Sequence, residues 1–286
     1  MTYRPLFIIG AGRSGTNILR DTLTTVPGWE TWPCDEINLI WRHGNRDKRD
    51  DVFGESEATP RVKRYMHKVF ERFARTSGAA VVVEKTCANS LRVPFIDAIF
   101  PEARFVYIVR DGRDVALSAA RRWTASVELS YLLKKLPYVP PTDVPYYGLR
   151  FLRNRLHQSR SAERRQAAWG PRFPGMDELA TTRPLIDVCA KQWATCVEAS
   201  DAAFASVDPA RVHRVRYEDL VAAPADELAA ILRWAGADPE TLGPQAAASV
   251  RMDSAGGWKK KAGQFTPESL ELMAQLLQRH GYGPTA

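Results

Sequence analysis

No stretch of the chain reaches the run of about 18 apolar residues that a membrane-spanning helix needs. The first ten residues, MTYRPLFIIG, have no basic segment ahead of a long apolar one, so they do not read as a secretion signal. Cysteine is scarce as well: Cys34, Cys87, Cys189 and Cys196 are scattered over 286 residues, with neither metal-ligand spacing nor a disulfide framework. Reduced structural thiols in a cytoplasmic protein are the expectation. Internal repeats and low-complexity tracts are also missing, which leaves an ordinary globular domain. Acidic side chains are the minority, 33 against 40 Lys and Arg, for a formal net charge of +7. That surplus fits an acidic partner: a nucleotide, a sulfated or phosphorylated acceptor, or a membrane surface.

What is present is a rhythm of short β-rich apolar runs, each followed by a helical pattern. Leu6–Ile9, Val81–Glu84, Phe105–Val109 and Val212–Arg216 read as strands. Helices are expected over about Gly15–Thr24, Leu91–Phe100, from Asp114 onward and over Leu228–Trp234. A last one is expected over Pro267–His280, with Thr266 as its N-cap and Gly281 as its stop. Solid apolar strands alternating with helices predict an α/β fold, a parallel sheet covered on both faces. One domain is expected over residues 1–286, with an insertion at 123–182 where the rhythm breaks. That stretch carries Pro137, Pro140, Pro141, Pro145, Pro171 and Pro174, and it reads as an acceptor-binding region or a lid.

The first strand runs into Gly10-Ala11-Gly12-Arg13-Ser14-Gly15-Thr16-Asn17. A glycine-rich turn between a strand and a helix cradles phosphate, because the helix N-terminus points its N–H groups at an anion. The glycines satisfy G-x-G-x-x-G, the dinucleotide fingerprint, which also requires an acid at the end of a second strand roughly 20 residues on. Glu30 has that spacing, but it lies in a proline-bracketed stretch with little strand character. The same residues satisfy G-x-x-x-x-G of the ATP and GTP phosphate loop, where Lys and then Ser or Thr should follow. Thr16 and Asn17 stand there instead, so both the phosphate lysine and the magnesium hydroxyl are missing. A kinase reading would have to recruit Asp111 for a metal. A loop with one internal guanidinium, Arg13, suits a group of lower charge such as a phosphosulfate, which needs no metal.

With three further segments this loop resembles the sulfotransferases that use 3′-phosphoadenosine 5′-phosphosulfate (PAPS), in their bacterial and tyrosylprotein-type branch. The resemblance implies a P-loop-like parallel sheet flanked by helices, here with the Pro/Arg-rich insertion, and a 5′-phosphosulfate held by Arg13, Ser14, Gly15, Thr16 and Asn17. The second segment, FVYIVRDGRDVALS from Phe105 to Ser118, is similar to the family's 3′-phosphate motif. It implies that Arg110 and Ser118 grip that phosphate, with Arg122 joining them one helical turn further on. The third, Tyr217-Glu218-Asp219-Leu220, implies Tyr217 against the adenine or its ribose phosphate. The fourth, Ser254 to Lys261, implies a basic loop closing over the nucleotide, with Ser254, Trp258, Lys259 and Lys261 as contacts.

Two positions carry the chemistry that the resemblance implies. Cys34-Asp35-Glu36 falls where the tyrosylprotein branch has a catalytic glutamate, so Glu36 is the expected base, with Asp35 as the neighbouring alternative. Lys85, at the end of the strand Val81–Glu84, falls where the family has a lysine near the transferring sulfonate. Together with Arg13 it would neutralise charge on the leaving phosphate. The expected reaction is metal-independent sulfonate transfer from PAPS to a hydroxyl, with a carbohydrate or natural product favoured as acceptor and tyrosine open. A nucleotide kinase and a binding module without turnover are the alternatives. Residues 148–172 hold seven arginines (150, 153, 155, 160, 164, 165 and 172) against the single acid Glu163, as a solvated face or as a surface for an acidic or lipid-linked acceptor beside a membrane. No nucleic-acid partner is expected.

Overall fold

A computed structural model of the protein describes residues 3–124, 140–145, 148–149, 169–243, 246, 250 and 255–283. Five strands form one all-parallel sheet: β1 Arg4–Ile9, β2 Trp29–Glu30, β3 Val81–Glu84, β4 Arg104–Val109 and β5 Val212–Arg216. Their order is β2-β3-β1-β4-β5. The helices used below are α1 Thr16–Leu23, α2 Asn38–Trp41, α3 Pro60–Ser77, α4 Val93–Ile99, α5 Gly112–Trp123, α6 Met176–Thr182 and α7 Leu185–Phe204. After β5 come α8 Tyr217–Ala222, α9 Pro224–Ala235 and α10 Pro267–Arg279.

The period of two along each strand divides its side chains between two cores. Phe7, Ile9, Val82, Phe105, Tyr107 and Val109 face one side, packed with residues of α3, α4, α5, α7 and α10. Leu6, Ile8, Val81, Val83, Val106, Ile108 and Val215 face the other, against α1, α8 and α9. Because both faces are covered, the three central strands β3, β1 and β4 read as nearly unbroken apolar runs, while the edge strand β5 carries His213, Arg214 and Arg216. Thr266 caps α10 by accepting from the Ser269 N–H, as its position in the sequence implies. All four cysteines are free thiols and buried.

Two long helices were not legible from the sequence alone. α3 begins at Pro60 after Thr59, whose hydroxyl accepts from Val62 N, a regular N-terminal signal that sits in a charged stretch. α7 follows the expected insertion directly; its buried Gln192 donates to the Trp169 and Pro171 carbonyls of that insertion, and its buried Ser200 donates to the Ser90 carbonyl. Within the insertion the described parts include a 3₁₀ turn at Pro141–Asp143 and α6. Six of the seven arginines of 148–172 lie outside the described residues. Arg172 is described, and it pairs with Asp177 at 2.7 Å. Among the described residues no helix is long and apolar enough to cross a membrane.

The sheet order puts the switch of direction beside β1, so a crevice opens at the carboxyl ends of β1, β3 and β4. The turn after β1 is tightly built. Gly15 has φ +90, and a Cβ there would lie 2.4 Å from Cδ2 of Tyr217. The left-handed backbone costs a non-glycine residue roughly 1–2 kcal/mol, and overpacking costs about 1–3 kcal/mol more. Gly15→Ala should therefore lower Tm by about 5–10 °C. Scanning calorimetry checks this, and a change below about 2 °C would mean that the ring moves aside freely.

Candidate active site

The loop between β1 and α1 holds two features that point to an anion. Arg13 has φ 76, the one non-glycine residue in the left-handed region among the described residues. Strain of this kind costs of order 1–3 kcal/mol and collects at ligand sites. Ser14 is 1% exposed, and its hydroxyl has no hydrogen-bond partner among the described residues. Among the described residues no side chain caps the N-terminus of α1, where the helix dipole is positive. Burial pushes the Arg13 guanidinium below its ordinary value, and the nearby Arg122, Arg110 and Arg121 push it further. Like charges crowded around an open helix N-terminus are relieved by an anion.

Two segments far apart in sequence tie into this loop. Arg13 Nε donates to Ser118 Oγ at 3.0 Å, and Arg110 donates to the Arg13 carbonyl at 3.2 Å. Arg110 also stacks 4.3 Å over the ring of Tyr217. That tyrosine is 1% exposed and packs against Gly15, so it braces the loop and Arg110 from beneath. Arg122 is exposed one helical turn beyond Ser118.

Asp111 cannot serve as a free metal ligand, because it caps α5 and is held by Arg113 through bonds of 2.7–3.2 Å. Glu30 fares no better as a ribose acid. Its strand β2 is separated from β1 by β3, whereas the dinucleotide geometry needs the acid on the strand beside the loop. The two alternative readings of the glycines thus lose the side chains they require.

The basic segment near the C-terminus is fastened to the start of α5. Asp114 accepts from the N–H groups of Gly256 at 2.7 Å and Trp258 at 2.8 Å. The Arg113 guanidinium lies 3.8 Å over the Trp258 ring, which takes one side of that indole. Lys259 and Lys261 are exposed within the 3₁₀ stretch Gly257–Gln264. Ser254 lies outside the described residues. Neither Asp114 nor Arg113 was singled out in the sequence, although an acid in the first turn of a helix is the signal that would have drawn attention to it.

On the other side of the loop two acids meet one lysine. Lys85 Nζ lies 3.0 Å from Asp35 Oδ1 and 3.1 Å from Glu36 Oε1. Burial alone would push the Lys85 ammonium down, but the Glu36 and Asp35 charges outweigh it and raise it. Asp35 Oδ1 also receives Arg20 at 2.8 Å and the Asn17 amide at 2.9 Å. Burial raises Asp35, yet Lys85 and Arg20 prevail and hold it at about 2. Asn17 thus turns its amide to Asp35. Glu36 accepts from Lys85 and from Cys87 N at 3.2 Å. Trp169, which no local pattern in the sequence marks, reaches over the loop: a Cβ on Gly12 would lie 3.4 Å from its Cη2 and 3.8 Å from the Cys87 sulfur. Its carbonyl is held by the buried Gln192 at 2.8 Å. Burial pushes the Cys87 thiol up, so it sits here as a neutral packing group.

A parallel sheet whose first strand runs into an anion loop, set beside a carboxylate and a buried lysine, defines a group-transfer enzyme. The profile of the Sulfotransferase family matches residues 5–160 and 176–240, and the chain belongs to that family. Its fold is similar to the sulfotransferase domain from the curacin biosynthetic pathway, with 16% identity over 99% of each chain and a TM-score of 0.56. The sulfotransferase domain of the Synechococcus PCC 7002 olefin synthase gives a TM-score of 0.53 at 16% identity, over 96% of this chain and 95% of that one. A sulfotransferase of Mycobacterium avium gives 0.54 at 13% identity, over 98% and 77%. A comparison with curated proteins finds no match.

Proposed function

We propose that this sulfotransferase carries the sulfonate of PAPS to a hydroxyl acceptor by in-line displacement, leaving adenosine 3′,5′-bisphosphate. The observation that supports it best is the juxtaposition across one crevice: guanidinium groups crowded on a loop with an orphaned serine hydroxyl, and a carboxylate held by Lys85. Residues Arg13 to Asn17 would bind the 5′-phosphosulfate through the guanidinium, the Ser14 hydroxyl and the start of α1. Arg110, Ser118 and Arg122 would read the 3′-phosphate. Tyr217 would support Arg110 rather than stack on the base, since it is buried. Trp258, seated on Arg113, would hold Lys259 and Lys261 at the nucleotide side, and Ser254 belongs to the same segment.

Glu36 would take the proton from the acceptor hydroxyl as its oxygen bonds to sulfur and the bond from sulfur to the phosphate oxygen breaks. Lys85 and Arg13 would stabilise charge on that departing oxygen, so positioning and electrostatics supply most of the rate. Asp35 is a poor base, because the cations that hold it near 2 leave it little affinity for a proton. Trp169 would wall the crevice near the transfer point and keep water from it. A sugar or natural-product hydroxyl is the favoured acceptor, taken up with help from the insertion 123–182, and no metal is needed.

Mass spectrometry of products from PAPS and a panel of acceptors (methyl hexosides, a tyrosine peptide, primary and secondary alcohols) tests the activity, run in parallel with EDTA and with added Mg²⁺. A mass gain of one sulfonate on an acceptor is expected. Complete dependence on added Mg²⁺ would overturn the metal-independent route. Calorimetry should show adenosine 3′,5′-bisphosphate binding roughly ten- to a hundredfold more tightly than ADP or 5′-AMP, because a charge-assisted hydrogen bond is worth about 1.5–3 kcal/mol. Equal affinity for ADP would overturn the reading of the 3′-phosphate by Arg110, Ser118 and Arg122.

A further inference from the structure

One buried carboxylate next to the crevice takes no part in the chemistry above. Glu84, the last residue of β3, is 1% exposed. Its Oε1 accepts from the Thr86 hydroxyl at 2.6 Å and its Oε2 from Asn89 Nδ2 at 2.6 Å. Lys85 and Arg92 are the charged groups whose fields reach it, and Trp41 also faces it. A carboxylate in a sheet core is costly unless it is paired and hydrogen-bonded, and a hydrophobic residue would pack there more cheaply. Here each of its oxygens accepts a hydrogen bond, from Thr86 and from Asn89.

Both oxygens begin a chain that ends at the acidic segment. A hydroxyl has one hydrogen, so the Thr86 bond to Glu84 commits that hydrogen and turns a lone pair outward. That lone pair accepts from Ile37 N at 3.3 Å, the residue next to Glu36. From the other oxygen, Asn89 Oδ1 accepts from Arg92 Nε at 2.8 Å, and Arg92 donates to Asn38 Oδ1 at 2.6 Å. The main-chain N–H of Cys87, three residues after Glu84, meets the Glu36 carboxylate itself.

We propose that Glu84 is a positioning residue, which fixes Glu36 by holding Ile37 through Thr86 and Asn38 through Asn89 and Arg92. The inference rests on Glu36 being the base. Burial pushes the Glu84 carboxyl up to about 7, against the pull of the Thr86 and Trp41 hydrogen bonds and of the Arg92 and Lys85 charges. A catalytic group displaced by about 1 Å can lose around 10²-fold in rate with the nucleotide site intact.

The experiment measures kcat and acceptor KM with the hydroxyl acceptor sulfonated fastest in the panel above, and the Kd for adenosine 3′,5′-bisphosphate by calorimetry. Thr86→Val keeps the shape and removes the hydroxyl. It should lower kcat about ten- to a hundredfold, with KM and Kd within about twofold, and Thr86→Ser should recover most of the loss. Glu84→Gln should act in the same direction, and if it fails to fold Thr86→Val decides alone. The discriminating measurement is the pair Glu36→Gln and Glu36→Gln/Thr86→Val. If Thr86 acts through Glu36, the second substitution costs nothing further in kcat. A full additional loss in the double variant, or a Thr86→Val enzyme near wild type while Glu36→Gln is crippled, overturns the positioning role and leaves the base assignment standing. If Glu36→Gln is itself without effect, the base assignment falls and the positioning role falls with it.

Discussion

Glu36→Gln is expected to lower turnover by roughly 10²–10⁴-fold while the affinity for adenosine 3′,5′-bisphosphate stays the same or improves slightly. The amide keeps the shape of the side chain and its bonds from Lys85 and Cys87, so the loss isolates the proton acceptor. Affinity should not suffer, because a carboxylate beside a bound phosphosulfate repels it. Asp35→Asn is the internal control, and its tie to Arg20, Asn17 and Lys85 marks it as a structural acid. It should cost less than about tenfold in kcat and show mainly as lower stability. Steady-state kinetics beside calorimetric binding separates the outcomes. Loss of activity in Asp35→Asn with a near-normal Glu36→Gln would move the base by one residue, and indifference of both would mean that the acceptor ionises unaided.

Lys85→Met should produce a loss of similar size by a different route. Removing one preorganised donor from a developing oxyanion costs roughly 10²–10³-fold in kcat. Lys85 is buried between Asp35 and Glu36, so its loss also leaves two acids facing each other without the cation that reconciles them. A drop in Tm should therefore accompany the drop in kcat, unlike Glu36→Gln. Lys85→Arg should restore charge without restoring rate, since a planar guanidinium does not fit a site shaped for a compact ammonium about 3 Å from two oxygens. A Lys85→Arg enzyme with wild-type kcat would reduce Lys85 to a charge in the vicinity and remove it from the reacting atoms.

Local patterns were enough for much of the scaffold. The runs at Leu6–Ile9, Val81–Glu84 and Phe105–Val109 are strands because a doubly covered parallel sheet demands apolar side chains on both faces, whereas Val212–Arg216 lies at the edge and buries only Val215. The glycine loop and the helix start after it were equally visible, since a left-handed turn and an open helix N-terminus depend on neighbours in the chain. Helices were harder where charge hid their periodicity, as in α3, or where an irregular stretch preceded them, as in α7.

The sequence by itself determined the parallel α/β plan, the glycine loop without lysine or magnesium hydroxyl, and the resemblance that made Glu36, Lys85 and Arg110 candidates for one site. It put Glu36 ahead of its neighbour Asp35 only through the resemblance, offered Tyr217 and Trp258 as nucleotide contacts, and gave Glu84 no role. Only the tertiary structure shows that Asp35 is tied to Arg20 and Asn17, that Tyr217 is buried beneath Arg110 and Trp258 is seated on Arg113, and that β3 lies between Glu30 and the loop. The reason is range. A turn or a strand is settled by residues within a few positions, whereas the partner of a carboxylate is settled by strand order, which brings Lys85 to residues fifty positions earlier in the chain.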